Sequence, residues 1–229
     1  MTPSLTGADE FMSTLTTDYL DLVERLPAGA SLHLQDVGWD EYEYFITQMG
    51  SHPGYRVSYN CGRLIVMSPS PEHEDYKESI YSLVRVMAVE WGIVLESRGA
   101  ATFKSKRLAK GVEPDTCFYV QNARRIIGRR TITLGVDPPP DVAVEIDTTN
   151  ESLSKFHIYA ALGVPEIWRY DGEKAHFYQL SETSYQEIQS SIAFPLLTAE
   201  DLTRFLEQSK TEGQTAAVAA FLKSLRERK

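Results

Sequence analysis

The sequence predicts a mixed α/β (α+β) protein, with one central mixed β-sheet flanked by helices and helical extensions at the N- and C-terminal ends. Three observations carry this. Short runs with period-two alternation are separated by Gly and Pro punctuation, as strands and their turns require. Between them, Tyr76, Ile80, Leu83, Val84, Met87 and Trp91 form one apolar stripe at helical spacing. The order of hairpin, helix, several strands, helix and further strands is that of helices set against a mixed sheet.

Each element has its own signature. Ala8 to Leu26 reads as an amphipathic helix through Phe11, Leu15, Tyr19, Leu22, Val23 and Leu26, ended by Pro27-Ala28-Gly29. A short helix follows from Trp39 to Met49, broken at Ser51-His52-Pro53-Gly54. Residues 1–50 are thus expected as an N-terminal helical extension. Tyr55 to Asn60 and Arg63 to Met67 flank Cys61-Gly62 as a hairpin, and Ser68-Pro69-Ser70-Pro71 leads into the striped helix, which stops at Gly92. Ile93 to Ser97, Ala101 to Lys106 and Asp115 to Val120 read as strands. The rigid Asp137-Pro138-Pro139-Pro140 delivers the chain into Asp141 to Asp147, where Val142, Val144 and Ile146 face one way and Ala143, Glu145 and Asp147 the other. Thr148-Thr149-Asn150 supplies a turn and cap for a helix running to Leu162 and ended by Gly163. Pro165 to Tyr170 and Lys174 to Leu180 pair across Asp171-Gly172. Residues 51–190 form the expected core, and 191–229 a C-terminal helical tail.

Among 229 residues, Asp and Glu number 32 against 23 Lys and Arg, a net charge of −9. That balance argues against a protein that coats nucleic acid non-specifically, because phosphate neutralisation needs clustered cations. It leaves room for carboxylates whose local sign a bound cation reverses. Cys61 and Cys117 have neither metal-like spacing nor a disulfide pattern, so a reducing cytoplasm is expected. No apolar stretch is long enough to span a membrane, so no membrane partner is expected.

The chemistry centres on carboxylates. Asp115 opens a strand directly after Pro114, and Glu145 sits inside an otherwise apolar strand, where a carboxylate is costly unless paired or metal-bound. Asp147 shares the face of Glu145. Hard oxygen ligands near a strand end suit Mg²⁺ or Mn²⁺, which complete their shells with water and substrate phosphate. Such an ion activates water and neutralises phosphodiester charge. Lys155, on one helix face with Tyr159, is the candidate lysine for stabilising developing charge. Taken singly, Asp115 also reads as a turn residue, Glu145 as the exposed face of a strand and Lys155 as a solvated helix residue; their order along the chain is the more specific signal.

These residues resemble the PD-(D/E)XK nuclease superfamily and, more narrowly, the Uma-type family of restriction endonuclease-like proteins. The matching stretches are Gly62-Arg63-Leu64 with Met67-Ser68-Pro69, then His73, Glu113-Pro114-Asp115, Val144-Glu145-Ile146-Asp147, and Lys155 to Trp168 read as KFHIYAALGVPEIW. The resemblance covers about residues 35 to 185. It implies a restriction-endonuclease-like core and an Mg²⁺-dependent endonuclease, with Asp115, Glu145 and the backbone carbonyl of Ile146 as metal ligands. The superfamily lysine two residues after the Glu is absent and Asp147 stands there, so Lys155 would act from the helix. Ser58 occupies a position where many relatives carry Glu and is not a ligand.

The first core helix offers His73, Glu74 and Glu78. Helix geometry puts His73 near the apolar stripe, Glu74 on its flank and Glu78 on the far side, so His73 or Glu74 is expected near the site, His73 as a catalytic group along with Asp147 and Glu74 as a further metal ligand, and Glu78 in solvent. The one basic cluster, Arg124, Arg125, Arg129 and Arg130, is either a solvated loop or a phosphate contact, and Lys104 with Lys106 could extend a positive groove. Cys117, Tyr159 and Trp168 read as packing residues. The expected partner is nucleic acid, with DNA favoured, and the terminal helices suggest a homodimer. A nuclease fold that binds nucleic acid or protein without cutting is the alternative.

Overall fold

The computed structural model describes residues 19–50, 54–147 and 151–228. The first half of the Ala8–Leu26 helix, the Ser51–Pro53 break and the Thr148–Asn150 cap lie outside the described residues; residues 19–24 are helical.

Two sheets form where one was expected. The first has the order β1-β3-β2-β6-β5 and is antiparallel throughout, built from β1 (Ser31–Leu34), β2 (Arg56–Asn60), β3 (Arg63–Met67), β5 (Phe103–Ser105) and β6 (Lys110–Val112). The second has the order β11-β10-β9-β8-β7-β4, with β4 (Glu96–Ser97), β7 (Thr116–Tyr119), β8 (Val142–Ile146), β9 (Glu166–Tyr170), β10 (Ala175–Ser181) and β11 (Ser184–Ile188). It is mixed as expected: β8 and β9 run parallel, and every other neighbouring pair is antiparallel. A parallel pair needs a crossover, and helix α4 (Phe156–Leu162) supplies it, closed by Gly163 in the left-handed region (φ 77°).

The β2–β3 hairpin turns at Cys61 (φ 47°) and Gly62 (φ 95°). Positive φ at both central residues matches the twist of the strands, which accounts for the tight connection. Helix α1 (Trp39–Met49) lays Tyr42, Phe45 and Met49 on Val57, Tyr59, Leu64 and Val66 of this sheet. Residues 31–49, expected as an extension, therefore supply an edge strand and the covering helix of the first sheet.

Helix α2 (Pro71–Trp91) begins with Ser70 Oγ accepting from His73 N at 3.2 Å and Pro71 at the first helical position, and ends at left-handed Gly92. Its stripe meets Val142, Val144 and Ile146 of β8. Helices α5 (Ala199–Glu212) and α6 (Gln214–Glu227) lie beside it, burying Leu202, Phe205, Leu206, Phe221 and Leu225 in the same core. The opposite face of β8 carries Ala143 and packs on Ile158 and Tyr159 of α4 and on Phe103 and Val112 of the first sheet. Alternation along β8 is as expected, but both faces are covered and Glu145 is buried. No helix among the described residues is long and apolar enough to cross a membrane.

Candidate active site

Asp115, directly before β7, and Glu145 of the adjacent β8 lie side by side on the face turned toward α4. The β7–β8 register pairs Thr116 with Val144, and Asp115 N donates to Val144 O at 3.0 Å, which sets Asp115 beside Glu145. Beyond this rung the ladder changes character: Ile146 N donates to Asp115 Oδ2 at 2.7 Å instead of to a backbone carbonyl. The N–H and C=O of one strand residue point the same way, so the Ile146 carbonyl also lies on the Asp115 side.

Asp115 is held from two further directions. Arg56 Nε of β2 lies 3.3 Å from Oδ1 and His73 Nε2 of α2 lies 3.1 Å from Oδ2. Neither contact has hydrogen-bond angles: Asp115 Oδ1, Arg56 Nε and both His73 ring nitrogens are buried without a hydrogen-bond partner. Burial alone would raise the Asp115 carboxyl; contact with His73 and the charges of Lys155 and Arg56 outweigh it and hold it below the ordinary value.

Glu145 is tied from α4 and the turn preceding it. Lys155 Nζ donates to Oε2 at 2.7 Å and the Tyr159 hydroxyl donates to Oε1. Burial pushes the Glu145 carboxyl up against the pull of Lys155, and the Asp115 charge adds to the rise. Burial works the other way on Lys155, but the charges of Glu145 and Asp115 overcome it and keep the ammonium above its usual range. Lys155 is therefore a fixed cation and not a base near neutrality. Tyr159, read from sequence as packing, is the second anchor of Glu145; its spacing of four from Lys155 was the available signal.

Asp147, two residues on, is engaged elsewhere. Its Oδ2 accepts from Arg169 Nε at 2.9 Å, from Ser152 N at 3.2 Å and from the Ser152 hydroxyl, which anchors the 3-10 turn Glu151–Lys155 that leads into α4. Glu74 pairs with Arg56 at 3.2 Å and with Lys77; it is 41% exposed and is not among the residues lining the cleft over Glu145. Glu78 is 60% exposed, as expected.

A cleft of about 190 Å³ opens over Glu145. Arg56, Ser58 and Arg63 of the hairpin line it together with Lys155, Ser152 and His73. Arg56 and Arg63 escaped the sequence reading because an arginine in a short hairpin looks like an ordinary exposed strand residue.

The structure does not bring the arginine cluster here. Arg124 and Arg125 lie in helix α3 (Ala123–Ile126), beyond the far end of β7. Four strand residues, at about 3.3 Å each, put roughly 13 Å between them and Asp115. Arg129 faces Asp137 at 3.6 Å, and Arg130 follows in the same loop. Clustering along the chain did not become clustering at the site, because β7 carries the chain across the sheet first. Lys104 pairs with Glu43 and Lys106 with Asp40, both on α1, so neither extends the cleft.

Among the described residues no group of three or more His, Cys, Asp or Glu side chains could cage a metal. The donors present are two adjacent carboxylates, one with an unsatisfied buried oxygen, and a main-chain carbonyl on the same side. Hard, oxygen-seeking Mg²⁺ or Mn²⁺ fits this set, since these ions keep several waters and take few protein ligands.

No curated protein matches the chain. A crystal structure of a "putative nuclease belonging to DUF820" from Anabaena variabilis ATCC 29413 is similar at 16% identity, covering 73% of this chain and 98% of that one with a TM-score of 0.49. The profile of the Uma2 family, described as "Putative restriction endonuclease", matches residues 39–209, which takes in every strand but β1, the carboxylate pair and Lys155; the chain belongs to this family.

Proposed function

We propose that this protein is a metal-dependent endonuclease that hydrolyses phosphodiester bonds, with DNA the favoured substrate. The observation that carries the reading is the buried Glu145, set beside Asp115 and gripped by Lys155 and Tyr159 at the base of a cleft. Asp115, Glu145 and the Ile146 carbonyl would hold Mg²⁺ or Mn²⁺, and the ion, when bound, lowers the pKa of water and neutralises phosphate charge.

The chain's own groups have distinct tasks. Lys155, held positive, stabilises the negative charge that develops on the phosphoryl oxygens as the nucleophile attacks. Tyr159 fixes the rotamer of Glu145. Arg56 and His73 restrain Asp115, and Arg56 presents a cation to the incoming phosphate. Asp147 fixes the turn that delivers Lys155. A nuclease fold that binds without cutting is the second reading, favoured by Asp147 in the usual lysine position and by its engagement with Arg169.

Nicking of supercoiled plasmid and cleavage of labelled DNA and RNA oligonucleotides decide between them, in Mg²⁺, Mn²⁺ or EDTA. Glu145→Gln and Lys155→Ala should each lose at least about 100-fold in rate, the scale of removing one preorganised charge-stabilising group. Equal rates in wild type and both variants would refute the nuclease reading. Metal-independent binding with no cleavage would support the second.

A further inference from the structure

We infer that Arg63 and Lys110 hold the phosphates that flank the scissile one, in a groove leading from Glu145 along the β2–β3 hairpin toward α4. The inference rests on the nuclease reading for its substrate class and adds the path of the strand. The cleft over Glu145 continues into a second cavity of about 110 Å³ that shares Ser58, Arg63, Ile65 and Ser154 with it. The second cavity ends at Asn60 and His157.

Cations gather along this path. Arg63 is exposed and lines both cavities. Lys110 of β6 bonds to the Asn60 amide oxygen at the groove's far end. His157 shows that the two charges converge: burial first, then Lys110 and Arg63, lower its imidazole below the ordinary value.

Among the described residues no carboxylate lines the second cavity; Glu145 and Asp147 line only the cleft where the path begins. In a chain with nine more acidic than basic residues, Lys104, Lys106 and Arg129 each have a carboxylate partner. Among the described residues Arg63 instead contacts His33 Nδ1 at 3.4 Å, and Lys110 contacts an amide. Positive side chains without neutralising carboxylates, continuous with a catalytic cleft, are the chemistry that binds a phosphodiester backbone. Half-buried Ile65 between them gives apolar contact to a sugar or base and no sequence readout.

Fluorescence anisotropy with a labelled 20-nucleotide single strand and its duplex, in EDTA so that nothing is cut, tests the path. Two lost phosphate contacts reduce the salt slope by about 1.4 for single strands and 1.8 for duplex. At 0.1 M salt that is a loss on the order of 25- to 60-fold for Arg63→Ala/Lys110→Ala. Arg63→Lys/Lys110→Arg should restore most of the affinity, and Arg124→Ala/Arg130→Ala should leave it unchanged. Wild-type affinity and salt slope in the Arg63→Ala/Lys110→Ala variant, loss in the Arg124→Ala/Arg130→Ala variant instead, or no binding by the wild type would each overturn the inference. Cleavage abolished by Glu145→Gln, while Arg63→Ala/Lys110→Ala binds normally, would leave the nuclease reading standing and remove this one alone.

Discussion

Replacing Lys155 with Met removes the cation beside Glu145 and keeps the volume. The contact is 2.7 Å, so at an effective dielectric near 20 the direct attraction is about 6 kcal/mol, before the desolvation of both ions is set against it. The net loss has an upper bound, because Glu145 can take up a proton. Holding a carboxyl of ordinary pKa protonated at pH 7 costs roughly 3.5 kcal/mol, and Tyr159 still donates to it. Lys155→Met should therefore lose about 3 kcal/mol at pH 7. In the variant the folded-state pKa of Glu145 lies above its unfolded value. Burial already raises Glu145 in wild type, so the deficit grows, by up to about 1.4 kcal/mol per unit, only as pH rises from its folded pKa in wild type to the higher one in the variant, and it shrinks toward acid pH. Glu145→Gln/Lys155→Met keeps an acceptor for Tyr159 and should recover to within about 1 kcal/mol of wild type, since an intact buried pair is nearly neutral against uncharged replacements. The assay is urea unfolding followed by far-UV circular dichroism in EDTA, from pH 4 to 8, for wild type, both single variants and the double. A coupling energy below about 1 kcal/mol, or a deficit independent of pH, would refute the argument.

Three further outcomes concern the scaffold. A Cβ at Gly111 would overlap the hydroxyl and ring of Tyr42, which is fully buried and stacked on Tyr59, so Gly111→Ala should cost about 1–3 kcal/mol by overpacking; Tyr42→Phe should relieve part of it in the same denaturation curves. Glu166 accepts from Trp168 Nε1 at 2.6 Å and from Ile192 N and Ala193 N at 3.0 and 2.9 Å; Gln offers one acceptor to three donors, so Glu166→Gln should cost about 2 kcal/mol, read as a melting temperature lower by roughly 4–8 °C. Asp201 takes two contacts of 2.6 Å from Arg228, and although burial opposes it, that partner with the Thr198 cap holds its carboxyl below the ordinary value. A depressed carboxyl stabilises above its unfolded pKa and loses that contribution as pH falls through the folded one. With Arg228 about a third exposed, Arg228→Ala should cost only about 1 kcal/mol at pH 7, and the difference from wild type should shrink in thermal melts as pH falls below the ordinary carboxyl value of about 3.9.

Period-two alternation made β8 legible, and an αL glycine after an apolar stripe made α2 legible, because both signals are local. The division into two sheets was not, since it depends on which strands pair and not on where they lie. Strands β1 and β11 stand at sheet edges and are short, with part-exposed side chains of mixed character, so neither presents an apolar run. At the site, Glu145 stood out because it interrupts an apolar strand. Arg56 did not, because its burial comes from α2 and Asp115, which are distant in sequence. The arginine cluster shows the converse: proximity along the chain is erased by one strand crossing the sheet.

The hydrogen bond from Ile146 N to Asp115 Oδ2 has a consequence for how activity could be lost. A side-chain oxygen there closes the last rung between β7 and β8, so it supports that end of the two strands whether or not chemistry occurs. A substitution that removed the oxygen would fray both strands together with the ligand. Any descendant that gave up cleavage would still need an acceptor at position 115, and the record of that loss would be written first at Glu145 and Lys155.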